Sequence, residues 1–168
     1  MVTLHERAIT ASCRRGLEYL RPFSFLQDFY LAGGTALALQ IGHRISTDLD
    51  WFTASRLLET EERNQIRAEL AASGNFEVTS EQDGMLFTRL FGTDVSFIHQ
   101  HHTLLNPTLE YEGVHLASPT DIGLMKLAAI NSRGTRRDFV DLYCLRETVA
   151  LDRLLELVPA KYPDRPNF

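Results

Sequence analysis

The chain has 168 residues, the size of one domain, with 44% hydrophobic and 23% charged residues, 10 Gly and 6 Pro, a composition that excludes wholesale disorder and collagen-like repeats. The formal charge of −5 removes the whole-protein basic field of simple nucleic-acid binders and leaves room only for a local basic patch. Cys13 and Cys144 are too few for a disulfide framework or zinc cluster, no apolar run nears the roughly 20 residues of a membrane span, and the charged N-terminus is no secretory signal, so a cytoplasmic protein without membrane contact is expected.

The spacing of Ile9, Cys13, Leu17 and Leu20 predicts a helix over residues 5–20, stopped by Pro22. A short buried strand, 29–32, runs into Gly33-Gly34, and a helix opens at Thr35 and ends at Gly42. Residues 48–53 (DLDWFT) alternate acidic with apolar and read as a strand with Leu49, Trp51 and Phe52 on its buried side. Residues 60–73 form an amphipathic helix with Thr60 as N-cap and Gly74 as its stop. Strands at 76–80, 85–91 and 94–99, with Gly84 and Gly92 at their junctions, read as an antiparallel meander. A further strand at 114–117 leads into Ser118-Pro119-Thr120-Asp121, a helix start with Ser as N-cap, Pro at N1 and an acid at N3.

Helices are expected at 119–132, at 136–149, where Thr135 and Asp138 fit a capping box, and at 151–158, ending at Pro159. The fold class is therefore α+β (mixed α/β): a small mixed twisted sheet flanked by helices, in one domain over 1–168, with the sheet-containing core at about 28–118 and a helical C-terminal part at about 119–160.

The chemistry-bearing residues fall in two places. Gly33 and Gly34 between a strand and a helix let backbone approach a ligand closely, the helix's first N–H groups can hold phosphate oxygens, and Thr35 adds a hydroxyl, although such a turn can also be a plain tight connection. Asp48 and Asp50 are two apart in a strand, so both point the same way, about 6.5–7 Å apart. Two such carboxylates repel each other, and a divalent cation resolves this, Mg²⁺ or Mn²⁺ for phosphoryl or nucleotidyl transfer. The alternative is a solvated edge-strand pair. His43 and Arg44, just upstream, are ion-pairing partners for these acids or, for Arg44, a fork for a triphosphate.

The stretch LAGGTALALQIGHRISTDLDWF closely resembles the signature of the AbiEii/AbiGii-type nucleotidyltransferases, toxin components of bacterial toxin–antitoxin and phage-abortive systems, and SPTDIGLMKLAAINSRGTRRDFVDLYCL resembles that family's second conserved block. The two blocks cover about 50 of 168 residues, in the family's order. The resemblance implies a polymerase-β-like core, with NTP as substrate, Asp48 and Asp50 as catalytic metal ligands, and Gly33, Gly34 and Thr35 gripping phosphates with Lys126 and Arg44. Such cores take a third carboxylate from a later strand. Here Ser96, between Val95 and Phe97, stands at that place, and Asp94 is the candidate to act from two residues earlier.

Lys126, in an otherwise apolar helix, reads as a solvent-facing residue or, through the family match, as a cation for the nucleotide phosphates, with Arg133 on nearly the same face. Asp138 and Asp141 take a supporting role in the same block. His99, His101 and His102 lack an acid or Cys at metal-ligand spacing and are not assigned a metal. The family acts on RNA, including tRNA ends, or on protein hydroxyls, and a cognate antitoxin is an expected partner. A chain of 168 residues is short beside relatives that continue with a helical region, so it is read as a nearly bare core. The alternative function is a catalytically impaired nucleotide- or antitoxin-binding module on the same fold.

Overall fold

The computed structural model describes residues 4–165 and 168. The expected first helix is split. A 3-10 turn, Glu6–Ala8, is followed by an extended Ile9 that bridges to Ser46, and the helix α1 (Ala11–Leu20) starts only when the Thr10 side chain accepts from Cys13 N at 3.2 Å. Apolar spacing continues through the break because the extended Ile9 is buried as well, so periodicity alone reads one helix where there are two segments.

Strand β1 (Tyr30–Leu31), helix α2 (Gly33–Ile41) and strand β2 (Asp48–Thr53) carry the first motif, with Gly42 closing α2 in the left-handed conformation. In β2 burial alternates, so Leu49, Trp51 and Thr53 are buried while Asp48, Asp50 and Phe52 share the half-buried face. Phe52 thus stands beside the acids rather than on the buried side, as period-2 alternation requires. Helix α3 (Thr60–Ala71) is capped by Glu59, not Thr60, with Glu62 accepting from the Glu59 N–H at 3.2 Å.

The meander β3 (Phe76–Gln82), β4 (Met85–Leu90) and β5 (Thr93–His99) is antiparallel as expected. A hairpin of β6 (Leu109–Tyr111) and β7 (Val114–Leu116) turns at Glu112 and Gly113, both at positive φ, which suits a two-residue turn. Three residues of β6 were too few to show an alternation.

The seven strands of the described residues join one sheet in the order β3-β4-β5-β2-β1-β7-β6. It is mixed, since β2 runs parallel to β5 and β1 parallel to β7, while β1 and β2 are antiparallel. Its centre is therefore the β2–β5 pair, where Leu49, Trp51, Val95 and Phe97 are essentially buried and α1 packs against them. The opposite face of that pair carries Asp48, Asp50 and Ser96. The mixed α/β architecture expected from sequence is the one observed.

Helix α4 (Pro119–Ser132) begins as its capping signature predicts, with Asp121 N donating to the Ser118 hydroxyl at 3.0 Å. Helices α5 (Arg136–Leu145) and α6 (Leu151–Lys161) pack against it. Helix α5 stops four residues before the expected end at 149. Helix α6 runs through Pro159 to Lys161, whose ammonium forms a fully buried pair with Asp121 at 2.9 Å and donates to the Thr103 carbonyl at 2.6 Å. That pair, with Val158 and Tyr162 buried alongside, offsets the hydrogen bond that Pro159 removes.

The three helices meet at Gly123, where an added Cβ would lie 2.7 Å from Leu154 and 2.8 Å from Leu145 side-chain carbons. Gly123→Ala is expected to destabilise by about 1–3 kcal/mol through overpacking. Urea unfolding at neutral pH measures it, and an unchanged midpoint would contradict this close approach.

Candidate active site

The site is built on the half-buried face of β2. Asp48 and Asp50 occupy that face, and the parallel neighbour β5 sets Asp94 opposite Asp48 and Ser96 opposite Asp50. Each carboxylate is held by hydroxyls. Asp48 Oδ1 accepts from Ser46 at 3.2 Å, and the Thr35 hydroxyl bonds to the Asp48 carbonyl and lies 3.4 Å from the same carboxylate oxygen. The Ser96 hydroxyl donates to Asp50 Oδ1 at 2.5 Å. Burial, partly offset by that Ser96 bond and reinforced by the neighbouring Asp48, pushes the Asp50 carboxyl above the ordinary carboxylate range.

Helix α2 brings its first turn against Asp50. Gly33 has φ +65°, and a Cβ there would stand 2.7 Å from Asp50 Oδ2, so only glycine fits both the conformation and the approach. At Gly34 a Cβ would collide with the Arg44 guanidinium. Among the described residues no side chain caps this helix start, and its Gly33 and Gly34 line the cleft.

Across the cleft stand two acids on α5. Asp141 is fully buried and accepts from His43 Nε2 at 2.8 Å, from Arg44 Nε and Nη2 at 2.7 and 3.0 Å, and from Lys126 Nζ at 2.7 Å. Burial alone would raise its pKa, but the donors from His43, Arg44 and Lys126 outweigh it and hold the carboxyl well below the usual range. Asp138 accepts from Lys126 at 3.0 Å, from the Thr135 hydroxyl at 2.6 Å and from Arg133 at 3.3 Å, and these donors likewise overcome its burial and hold it at about 2. Thr135 and Asp138 do not form the expected capping box: the Thr135 hydroxyl donates to the Asp138 carboxylate instead of accepting a backbone N–H.

Most of the residues singled out from sequence therefore converge. Gly34, Arg44, Asp48, Asp50, Lys126 and Asp138 line one cavity of about 510 Å³, to which Arg133, Arg136 and Arg137 add positive charge. Gly33, Asp50, Lys126, Arg133 and Asp138 also line a contiguous cleft of about 300 Å³. His43 and Asp141 lie directly behind. Asp94 stands apart: its side chain is 65% exposed and paired with Arg89 at 2.9 Å.

Sequence reasoning missed the roles of three contributors. Ser46 and Ser96 hold the two carboxylates, and Phe52 lines the cleft beside Asp50. Strict alternation in β2 was the available signal for Phe52; the sequence marked Ser96 only as the place of a missing acid, and nothing marked Ser46. Among the described residues no group of three or more His, Cys, Asp or Glu side chains is poised to hold a metal, and no helix is long and apolar enough to cross a membrane. A separate groove along α5 and α6, lined by Phe139, Tyr143, Arg146 and Leu151, is almost wholly apolar.

The chain matches, over residues 17–167, the family described as "Nucleotidyl transferase AbiEii toxin, Type IV TA system". It belongs to the AbiEii nucleotidyltransferase family. The match covers both motif blocks and nearly all the secondary structure. Over 160 residues this AbiEii-family chain is 33% identical to the uncharacterized protein aq_aa25 of Aquifex aeolicus, covering 93% of itself and 77% of that relative.

The solution structure of the antibiotic-resistance factor ANT(2'')-Ia is similar with a TM-score of 0.65 at 12% identity, covering 92% of this chain and 90% of that one. The crystal structure of the Megavirus polyadenylate synthase is similar with a TM-score of 0.59 at 13% identity, and this chain, 82% covered, spans 32% of the synthase. At these identities the likeness shows a common fold: the mixed sheet with its helices.

Proposed function

We propose that this AbiEii-family chain transfers a nucleotide from an NTP to a hydroxyl of RNA, tRNA ends included, or of a protein, as the toxin component of a bacterial toxin–antitoxin or phage-abortive system, with a cognate antitoxin as partner and the cytoplasm as its compartment. The observation that carries this reading is the juxtaposition of Asp48 and Asp50 with the uncapped start of α2 and with Lys126 and Arg133, across a single cleft.

The donor set fits a divalent cation. Asp48 and Asp50 each keep one carboxylate oxygen outside their hydroxyl bonds, and Asp50 is raised in part by its like-charged neighbour. Mg²⁺ is commonly held by one or two carboxylates and completes its shell with substrate phosphates and water. Bound there, Mg²⁺ or Mn²⁺ would supply charge neutralisation at the α-phosphorus.

The chain's own residues position the rest. The first N–H groups of α2 receive phosphate oxygens, and Gly33 keeps that approach open. Lys126 and Arg133 meet the triphosphate charge, and Asp138 and Asp141 hold Lys126 extended. The acceptor hydroxyl attacks the α-phosphorus and pyrophosphate leaves. Arg136 and Arg137 at the cleft rim suit an RNA backbone, which the chain's net negative charge otherwise disfavours.

One observation favours a second reading, a nucleotide- or antitoxin-binding module without catalysis. Ser96 stands where a third acid is expected, and the nearby Asp94 is engaged by Arg89. A third acid often accepts the proton of the attacking hydroxyl, so its loss weakens chemistry more than binding. Incubation with each α-phosphate-labelled NTP, Mg²⁺ and total RNA separates the two. Label is expected on RNA or protein with the wild type and none with Asp48→Ala. Nucleotide-dependent thermal stabilisation without label transfer to any acceptor would establish the second reading in place of the first.

A further inference from the structure

Beyond the phosphate end, the cleft continues between the sheet and α4. Its sheet wall is Phe52 and Ile98, its helix wall Met125 and Ala129, and Gln100 and Tyr162 stand at the far end. Phe52 is braced from the side by Tyr30, the rings stacked at 22° with centroids 6.0 Å apart. Gln100 is fixed by its own N–H, which donates to the Thr53 carbonyl at 2.8 Å. Register places Ser96 beside Asp50, so Gln100 lies four residues, about 13 Å, further along the sheet from the carboxylates. That leaves room for a nucleoside between the carboxylates and Gln100.

The decisive feature is Tyr162. Its side chain is 1% exposed, yet among the described residues its hydroxyl has no hydrogen-bond partner. Buried hydroxyls are normally satisfied, and leaving one unpaired is unfavourable. Burial also pushes this phenol up to about 12, with Asp121 adding to the rise and Arg165 opposing it, so it stays protonated and can both donate and accept. An apolar slot with an aromatic wall, ending in the amphiprotic Gln100 and Tyr162 with the Arg165 guanidinium 5.3 Å over the Tyr162 ring, matches a heterocycle whose edge presents donors and acceptors.

We propose that this end of the cleft is a nucleobase pocket in which the Tyr162 hydroxyl and the Gln100 amide bond the base edge and set which NTP is used. The inference rests on the nucleotidyltransferase reading of the phosphate end. The base slides between Phe52 and the α4 side chains, where contact with an aromatic face tolerates any base. Discrimination then comes from the two polar groups, because a wrong base leaves one of them buried and unpaired.

The test is calorimetric binding of ATP, GTP, CTP, UTP and inorganic tripolyphosphate, each with Mg²⁺, to the full chain and to Tyr162→Phe and Gln100→Ala. Tyr162→Phe keeps the ring, and thermal melts verify that each variant is folded. The expected result is that the wild type prefers one NTP by about tenfold or more. Each variant should shrink that preference about fivefold or more, toward parity, the lower end of the effect of one unpaired buried group, while tripolyphosphate affinity stays unchanged. Equal wild-type affinity for all four NTPs, or a preference that survives in both variants, overturns the base pocket and leaves the phosphate site standing. Failure of the wild type to bind tripolyphosphate or any NTP overturns both readings.

Discussion

Asp141→Asn is expected to lower stability by about 3 kcal/mol at pH 7, a fall in Tm of roughly 6–12 °C for a domain of this size. Breaking a buried ion pair from one side typically costs about 3–5 kcal/mol, because the partner is left charged and poorly solvated. The lower end applies because Lys126 keeps Asp138, and Arg44 retains some access to water. His43 and the Arg44 fork lose their common acceptor. The pH dependence gives a second check. The Asp141 carboxyl is depressed in the folded protein, so its contribution is complete above the unfolded carboxylate value of about 3.9 and is lost as pH falls through the folded one. The gap between wild type and variant, measured by urea unfolding, should therefore be widest near neutrality and narrow steadily below about pH 4. A gap of constant size across that range would mean that Asp141 acts through packing and not through charge.

This network also shows what the sequence could and could not reveal. The Asp48–Asp50 strand, the glycine pair and the helix start at Ser118 were legible because each is local: period-2 alternation, turn chemistry and capping act over a few residues. The convergence of Lys126 with Asp138 was half legible, since a lysine in an apolar helix run invites a partner. The Asp141 cluster was not, because His43 and Arg44 lie almost a hundred positions from it and meet it only when α2 and α5 both pack on α4. Arg44, expected at the triphosphate, has two of its nitrogens engaged by Asp141. The split of the first helix and the course of α6 through Pro159 were hidden for a related reason. In both, a tertiary contact (Ile9 with Ser46, Lys161 with Asp121) overrides the local signal. Ser96 was visible in the sequence as a missing acid. Its role as the donor that orients Asp50 depends on a strand register that no local pattern carries.

Asp50→Asn is expected to abolish nucleotide transfer, by about 100-fold or more, while making the metal-free protein more stable. The two effects have one cause. Folding places Asp50 against Gly33 and beside Asp48, and burial chiefly, with Asp48 adding to it, raises its pKa. A carboxyl raised on folding is favoured in its protonated form, so its stability contribution is full below the unfolded value of about 3.9 and is lost as pH rises through the folded value. At neutral pH the ionised Asp50 is thus a net cost that the isosteric amide relieves, and the Ser96 hydroxyl still finds an oxygen to bond. Each kcal/mol gained would raise Tm by about 2–4 °C. The advantage should vanish at pH values below both pKa values, where the wild-type carboxyl is already neutral in both states. Millimolar Mg²⁺ should then raise the Tm of the wild type and leave that of Asp50→Asn unchanged, since a ligand stabilises only the form that binds it. A variant that is less stable than wild type at pH 7 and still transfers nucleotide would make the acid pair a structural feature of β2. Stability gained together with activity and metal response lost is the signature of a carboxylate kept for chemistry against the preference of the fold.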